Sequence, residues 1–116
     1  MQIQLNTDKH VQGDEALSAW VDTELRERLG RFGDHLTRIE VHLSDINGAR
    51  AGDQDKRCKL EARLNGRQPV VVSHDAGKVA DAMFGAADKL QRLLDTTLGR
   101  ARDAAGRVSL RDGAVD

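Results

Sequence analysis

The sequence predicts an α+β fold, a two-layer sandwich in which a four-stranded mixed sheet carries two helices packed on one face. Three observations predict it. Three segments alternate apolar and polar residues with the period of a half-buried strand, a fourth is a short apolar run, and two others repeat apolar residues every three or four positions, as amphipathic helices do. The order of these segments is β-α-β-β-β-α, and one-sided helices bury their stripes most simply against one face of a sheet. With 116 residues and 39% apolar composition, the chain is expected to fold around one core as a single domain.

The first strand is Gln2-Ile3-Gln4-Leu5-Asn6, with Ile3 and Leu5 facing inward. After the loop through Gly13, Asp14 caps a helix whose stripe is Leu17, Trp20, Val21, Leu25, Leu29 and Phe32. Gly33 is expected to end it in the left-handed conformation. The second strand, Leu36 to Asp45, turns Ile39, Val41 and Leu43 to one face and Arg38, Glu40 and His42 to the other. Asn47 to Asp55 is rich in turn formers and reads as a surface loop. Cys58, Leu60, Ala62 and Leu64 then alternate with Arg57, Lys59, Glu61 and Arg63, and Asn65-Gly66 turns the chain into a fourth strand, Val70-Val71-Val72. Pro69, which lacks an amide hydrogen, suits the start of that strand or an exposed edge. The second helix follows Gly77, with Asp75 as its expected cap, and its stripe runs from Val79 through Met83, Ala86, Leu90, Leu94 and Leu98 to Ala101. The domain is expected to span 1–103, with 104–116 a flexible tail.

Helical linkage makes the first two strands parallel if they pair, and the short later links make antiparallel neighbours. The sheet face away from the helices is then wet, carrying Arg38, Glu40, His42, Arg57, Lys59, Glu61 and Arg63.

Charge and chemistry exclude several function classes. Eighteen Lys and Arg stand against 19 Asp and Glu, a net charge of -1, so the protein does not coat nucleic acid by bulk charge. No apolar run approaches the roughly 20 residues of a membrane helix, and no basic segment with a following apolar stretch opens the chain. A cytoplasmic protein without membrane contact is expected. Cys58 is the only cysteine, which excludes an internal disulfide and a multi-thiolate zinc site, and its inward parity reads as a small core residue. His10, His35, His42 and His74 are scattered, without a His-x3-His pair or a Gly-x-Ser-x-Gly elbow. The loop from Asp45 has Arg50 and Lys56 where a calcium loop needs glycine and glutamate. There is also no Gly-rich phosphate loop. No enzyme, cofactor, metal or small-molecule substrate is expected.

The cations are more informative. Between Arg50 and Arg67 there are six against three acids, and others lie on the first helix and along the second. Charge alone leaves two readings, a solvated strand face and a phosphate-binding patch. The only aromatics are Trp20, Phe32 and Phe84, so stacking platforms for single-stranded bases are missing.

Four segments in order resemble the ribosome hibernation family, the hibernation-promoting factors and ribosome-associated inhibitors. They are Asp14-Glu15-Ala16-Leu17 at the first helix start, and Arg28-Leu29-Gly30-Arg31-Phe32 running into Ile39-Glu40-Val41-His42-Leu43. Cys58 to Gly66 is the third, and Ala82-Met83-Phe84-Gly85-Ala86-Ala87-Asp88-Lys89-Leu90-Gln91-Arg92 the fourth. The resemblance implies a domain similar in layout to double-stranded RNA-binding domains. It also implies a protein that binds the small ribosomal subunit and its 16S-type ribosomal RNA, occupies the messenger and transfer RNA path, and silences translation in stasis without catalysis; a monomer is expected, with the oligomeric state left open by the sequence. It makes Lys89, Arg92, Arg28 and Arg31 candidate RNA-binding residues. Strand parity adds Arg57, Lys59 and Arg63, and the cations that return late in the second helix add Arg100 and Arg102. Leu93 to Gly99 carries none of the lysines that the family places there. An alternative therefore stands beside the first reading, a protein-interaction module of the same fold that no longer binds ribosomal RNA.

Overall fold

The computed structural model describes residues 1–46 and 55–112, with side chains described as far as residue 99. The chain runs through β1 (Gln2–Thr7), α1 (Glu15–Leu29), a 3-10 turn (Gly30–Phe32), β2 (Leu36–Asp45), β3 (Lys56–Leu64), β4 (Val70–Ala76) and α2 (Val79–Asp112). The strands lie in the order β1-β2-β3-β4. β1 pairs parallel with β2 through the α1 crossover, and the other neighbours are antiparallel. This is the predicted mixed sheet. The loop reading for 47–54 and the last tail residues, 113–116, lie outside the described residues.

Burial follows the periods in the sequence. Ile39, Val41 and Leu43 of β2 and Cys58, Leu60 and Ala62 of β3 meet Val21, Leu25 and Leu29 of α1 and Met83, Leu90 and Leu94 of α2 in one core. Ile3 and Leu5 of β1 and Val70 and Val72 of β4 are partly buried against it, as expected of edge strands with one neighbour. Asp14 caps α1 by accepting the Leu17 amide at 2.8 Å. Its carboxylate satisfies a donor that the first helical turn leaves unpaired.

Four local expectations change. Gly33 is not left-handed: its φ is -56°, and its amide donates to Gly30 O at 2.9 Å, because α1 tightens into the 3-10 turn instead of ending in a reversal. The left-handed glycine is Gly66, with φ 68°, in the β3–β4 connection. Asp75 does not cap the second helix; it lies in β4 opposite Arg57, which binds its carboxylate. The register shifts between Leu36 and Arg38, so Thr37 is an extra residue in β2. That bulge lets Leu36 and Ile39, three positions apart, both point inward. Finally, α2 continues as helix to Asp112, past the expected domain end at 103. Ala101, Ala104 and Ala105, with Arg100, Arg102 and Arg107, are good helix formers and favour that continuation.

Candidate nucleic-acid interface

The outer sheet face is built as cross-strand rows. Arg38 stands between Gln2 and Arg63; Glu40 between Gln4 and Glu61; His42 between Asn6 and Lys59; Ser44 faces Arg57. β4 extends the rows, with Val71 beside Glu61, Ser73 beside Lys59 and Asp75 beside Arg57. Alternation along each strand puts all of these side chains on the face opposite the helices. Arg57, Lys59 and Arg63, read from strand parity, are exposed there as expected. Arg38 and His42 share the face; sequence parity placed them there, but no family position singled them out.

The cations differ in how free they are. Arg57 donates from Nε and Nη2 to both oxygens of Asp75 at 2.8 and 3.1 Å, and its guanidinium holds the Asp75 carboxyl below its ordinary value. Arg38 pairs with Glu40 at 2.9 Å and also donates to Gln4 Oε1; Arg63 approaches Glu61 at 3.5 Å. Lys59 has no ion pair among the described residues. Lys89, on α2, reaches over the β4 edge and donates to Ser73 O at 2.8 Å. Ser73 is the cross-strand neighbour of Lys59, so two cations far apart in the chain meet at one edge residue. Arg92, three positions further along α2, is exposed and also unpaired among the described residues.

Arg28 and Arg31 are drawn elsewhere. Arg28 donates to Asp88 at 3.2 Å and lies 4.5 Å above the centre of the Phe84 ring. Arg31 makes a two-pronged bond to Asp95 at 2.7 and 2.9 Å. The Arg28 pair ties α1 to α2, the Arg31 pair ties the 3-10 turn after α1 to α2, and Gln91 adds a bond to Arg28 O at 2.7 Å. Trp20 meets Phe84 edge to face at 5.5 Å beside them. These arginines are helix–helix ties rather than part of the sheet-face band. The side chains of Arg100 and Arg102 lie outside the described residues.

Other chemistry is sparse. A groove of about 500 Å³ beside the α1 start is lined by His10, Val11, Leu17, Trp20, Lys56 and Val79, among others. A smaller one, about 240 Å³, lies between Asp8 and His42. Each contains a single histidine, and among the described residues no three His, Cys, Asp or Glu side chains group as metal ligands. Cys58 is fully buried, and burial pushes its thiol up to about 12, so it serves as a small apolar core residue. No described helix is long and apolar enough to cross a membrane.

Comparison with known proteins bears on this geometry. The model of the family described as Sigma 54 modulation protein / S30EA ribosomal protein matches residues 5–102. The fold is similar to the N-terminal domain of Thermus thermophilus Protein Y, with a TM-score of 0.67 and 24% identity over 84% of this chain and 99% of that one. It is also similar to a ribosomal subunit interface protein from Coxiella burnetii, with a TM-score of 0.68 and 17% identity over 85% of this chain and 99% of that one. No curated protein sequence matches.

Proposed function

Starting from the fact that the chain belongs to the Sigma 54 modulation protein / S30EA ribosomal protein family, we propose that it binds the small ribosomal subunit and silences translation by occupying the path of messenger and transfer RNA. The docking surface is the outer sheet face and the β4 edge. The observation that supports this reading most is that Lys89 bonds Ser73 O, the cross-strand neighbour of Lys59, with Arg92 exposed three positions further along α2. Together they form a cationic group on a protein whose net charge is -1. Lysine and arginine attract phosphates through charge and direct hydrogen bonds, which position a protein on RNA without reading sequence. The folded body then excludes substrates by bulk. No covalent step is needed. The Coxiella protein of similar fold is described as a subunit interface protein, in keeping with this reading.

Co-sedimentation of the purified chain with isolated small subunits tests it. The wild type should pellet at low salt, and Lys59→Gln with Lys89→Gln should weaken binding by about tenfold. Arg28→Ala with Arg31→Ala should leave binding within about twofold, because those arginines serve the helix pair. Absence of binding at low salt overturns the reading and favours the protein-interaction module.

A further inference from the structure

We propose that the outer face grips double-helical RNA across its shallow groove, with Glu40 and Glu61 accepting hydrogen bonds from ribose 2′-hydroxyls between the Arg38–Arg63 row on one side and the Lys59 row on the other. This inference rests on the RNA-docking reading above and adds what the face selects.

The row pattern carries the argument. Arg38 stands opposite Arg63, Glu40 opposite Glu61, and His42 opposite Lys59. Like charges placed directly across strands weaken a sheet, and opposite charges would strengthen it. A face selected for stability alone would place opposite signs across the strands, as Arg57 and Asp75 do; the rows Arg38–Arg63 and Glu40–Glu61 instead set like charges across β2 and β3 and opposite charges along them. Bonds along each strand offset part of the repulsion and orient the acids. Arg38 binds Glu40 Oε1 and Arg63 approaches Glu61 Oε1. The second oxygen of each carboxylate has no partner among the described residues.

Such a face matches a ligand with anions at two rims and donors between them. The flanking rows are four residues apart along β2, about 13 Å, and the acids lie midway. A carboxylate accepts hydrogen bonds and repels phosphate, so the central row excludes a phosphate and favours a hydroxyl or amino donor. The shallow groove of A-form RNA presents 2′-hydroxyls and base edges on its floor, with phosphates along its borders. DNA has no 2′-hydroxyl, and its minor groove is narrower. Single strands bind by stacking on aromatic side chains, and the outer-face positions hold no aromatic residue.

The test compares binding of the full chain to a 16-base-pair RNA duplex, the DNA duplex of the same sequence, and one RNA strand alone, at one low salt concentration. The RNA duplex should bind tightest. Glu40→Ala with Glu61→Ala and Glu40→Gln with Glu61→Gln remove the same charge, so both should bind all nucleic acids more tightly. Only the alanine pair loses the acceptors, and its RNA-to-DNA preference should fall about tenfold while the glutamine pair keeps it. Equal preference in both pairs, or wild-type preference for the single strand or for DNA, overturns the inference. Lys59-dependent pelleting with small subunits and no duplex preference would sink the inference while leaving the docking reading intact. Failure to pellet at all would sink the docking reading itself. Melting curves confirm that both variant pairs fold.

Discussion

Asp8 shows how one side chain fixes the geometry at one end of the sheet. Its carboxylate accepts the amides of His10 at 3.0 Å, Val11 at 3.1 Å and Asp45 at 2.9 Å, tying the β1–α1 connection to the end of β2. Those amides, Asp45's first, favour the charged form and hold the Asp8 carboxyl below its ordinary value. A carboxyl whose pKa is lower in the folded than in the unfolded chain stabilises the fold above its unfolded pKa, and that contribution is lost as pH falls through the folded one. Asp8→Ala should therefore melt at a lower temperature than wild type at pH 7. The difference should narrow as pH drops below about 4, as melts across pH will record. Gly85 is a second such position. A β-carbon there would overlap the His74 imidazole, which lies against the α2 backbone. Alanine normally stabilises a helix interior by about 1 kcal/mol over glycine, but overpacking costs about 1–3 kcal/mol. Gly85→Ala should destabilise the wild type and stabilise a His74→Ala background, a change of sign that urea titration of the four proteins measures.

Between elements, the α1–α2 pairing shows what side-chain ion pairs do here. Arg31 and Asp95 are 57% and 52% exposed, so their pair lies in water and is screened. Arg28 is less exposed and lies over Phe84. Both arginines also lie over a ring, Arg31 4.2 Å above Phe32 and Arg28 4.5 Å above Phe84, so Arg28→Ala should lower the urea midpoint more than Arg31→Ala because Arg28 is the less exposed of the two. This pairing was not legible in the sequence. Arg28 and Asp88 are 60 residues apart, and no local pattern links them. Family position made both arginines candidate RNA contacts, whereas the acids of α2 give them structural work. The elements themselves were legible, because each buries one face and the periods of two and three to four record that directly. The outward parity of Arg57, Lys59 and Arg63 was legible for the same reason. The Thr37 bulge was not, since an inserted residue breaks the period that reveals a strand. Asp75 was misread because a carboxylate before a helix has the same local signature whether it caps the helix or binds a cross-strand arginine. The Lys89 contact with Ser73 O was hidden as well, because it depends on how closely α2 approaches β4.

For the molecule as a whole, a net charge of -1 need not prevent attachment to RNA, because field strength depends on where charges lie. Many acids are already committed: Asp88 and Asp95 to α1, Asp75 to Arg57, and Asp45 and Asp55 to Lys56 at 3.1 and 3.2 Å. Opposite charges in contact largely cancel at a distance, so such pairs contribute little to the distant field. Lys59, Lys89 and Arg92 lack an acidic partner among the described residues; Lys89 reaches from α2 to Ser73 O, the cross-strand neighbour of Lys59, and Arg92 is exposed on α2 three positions on. Each phosphate contact releases about 0.9 counterion, so Lys59, Lys89 and Arg92 contribute about -3 to the slope of log affinity against log salt on an RNA duplex, to which Arg38 and Arg63 add about -2 if the outer face grips it as proposed. Lys59→Gln should make that slope shallower by about one unit, and Arg31→Ala should leave it unchanged. A slope near zero would show that attachment relies on apolar contact, directing attention to the groove beside Trp20. A slope much steeper than about -5 would show that RNA displaces the acids from Arg28, Arg31 or Arg57, and Asp95→Asn would then steepen the slope no further.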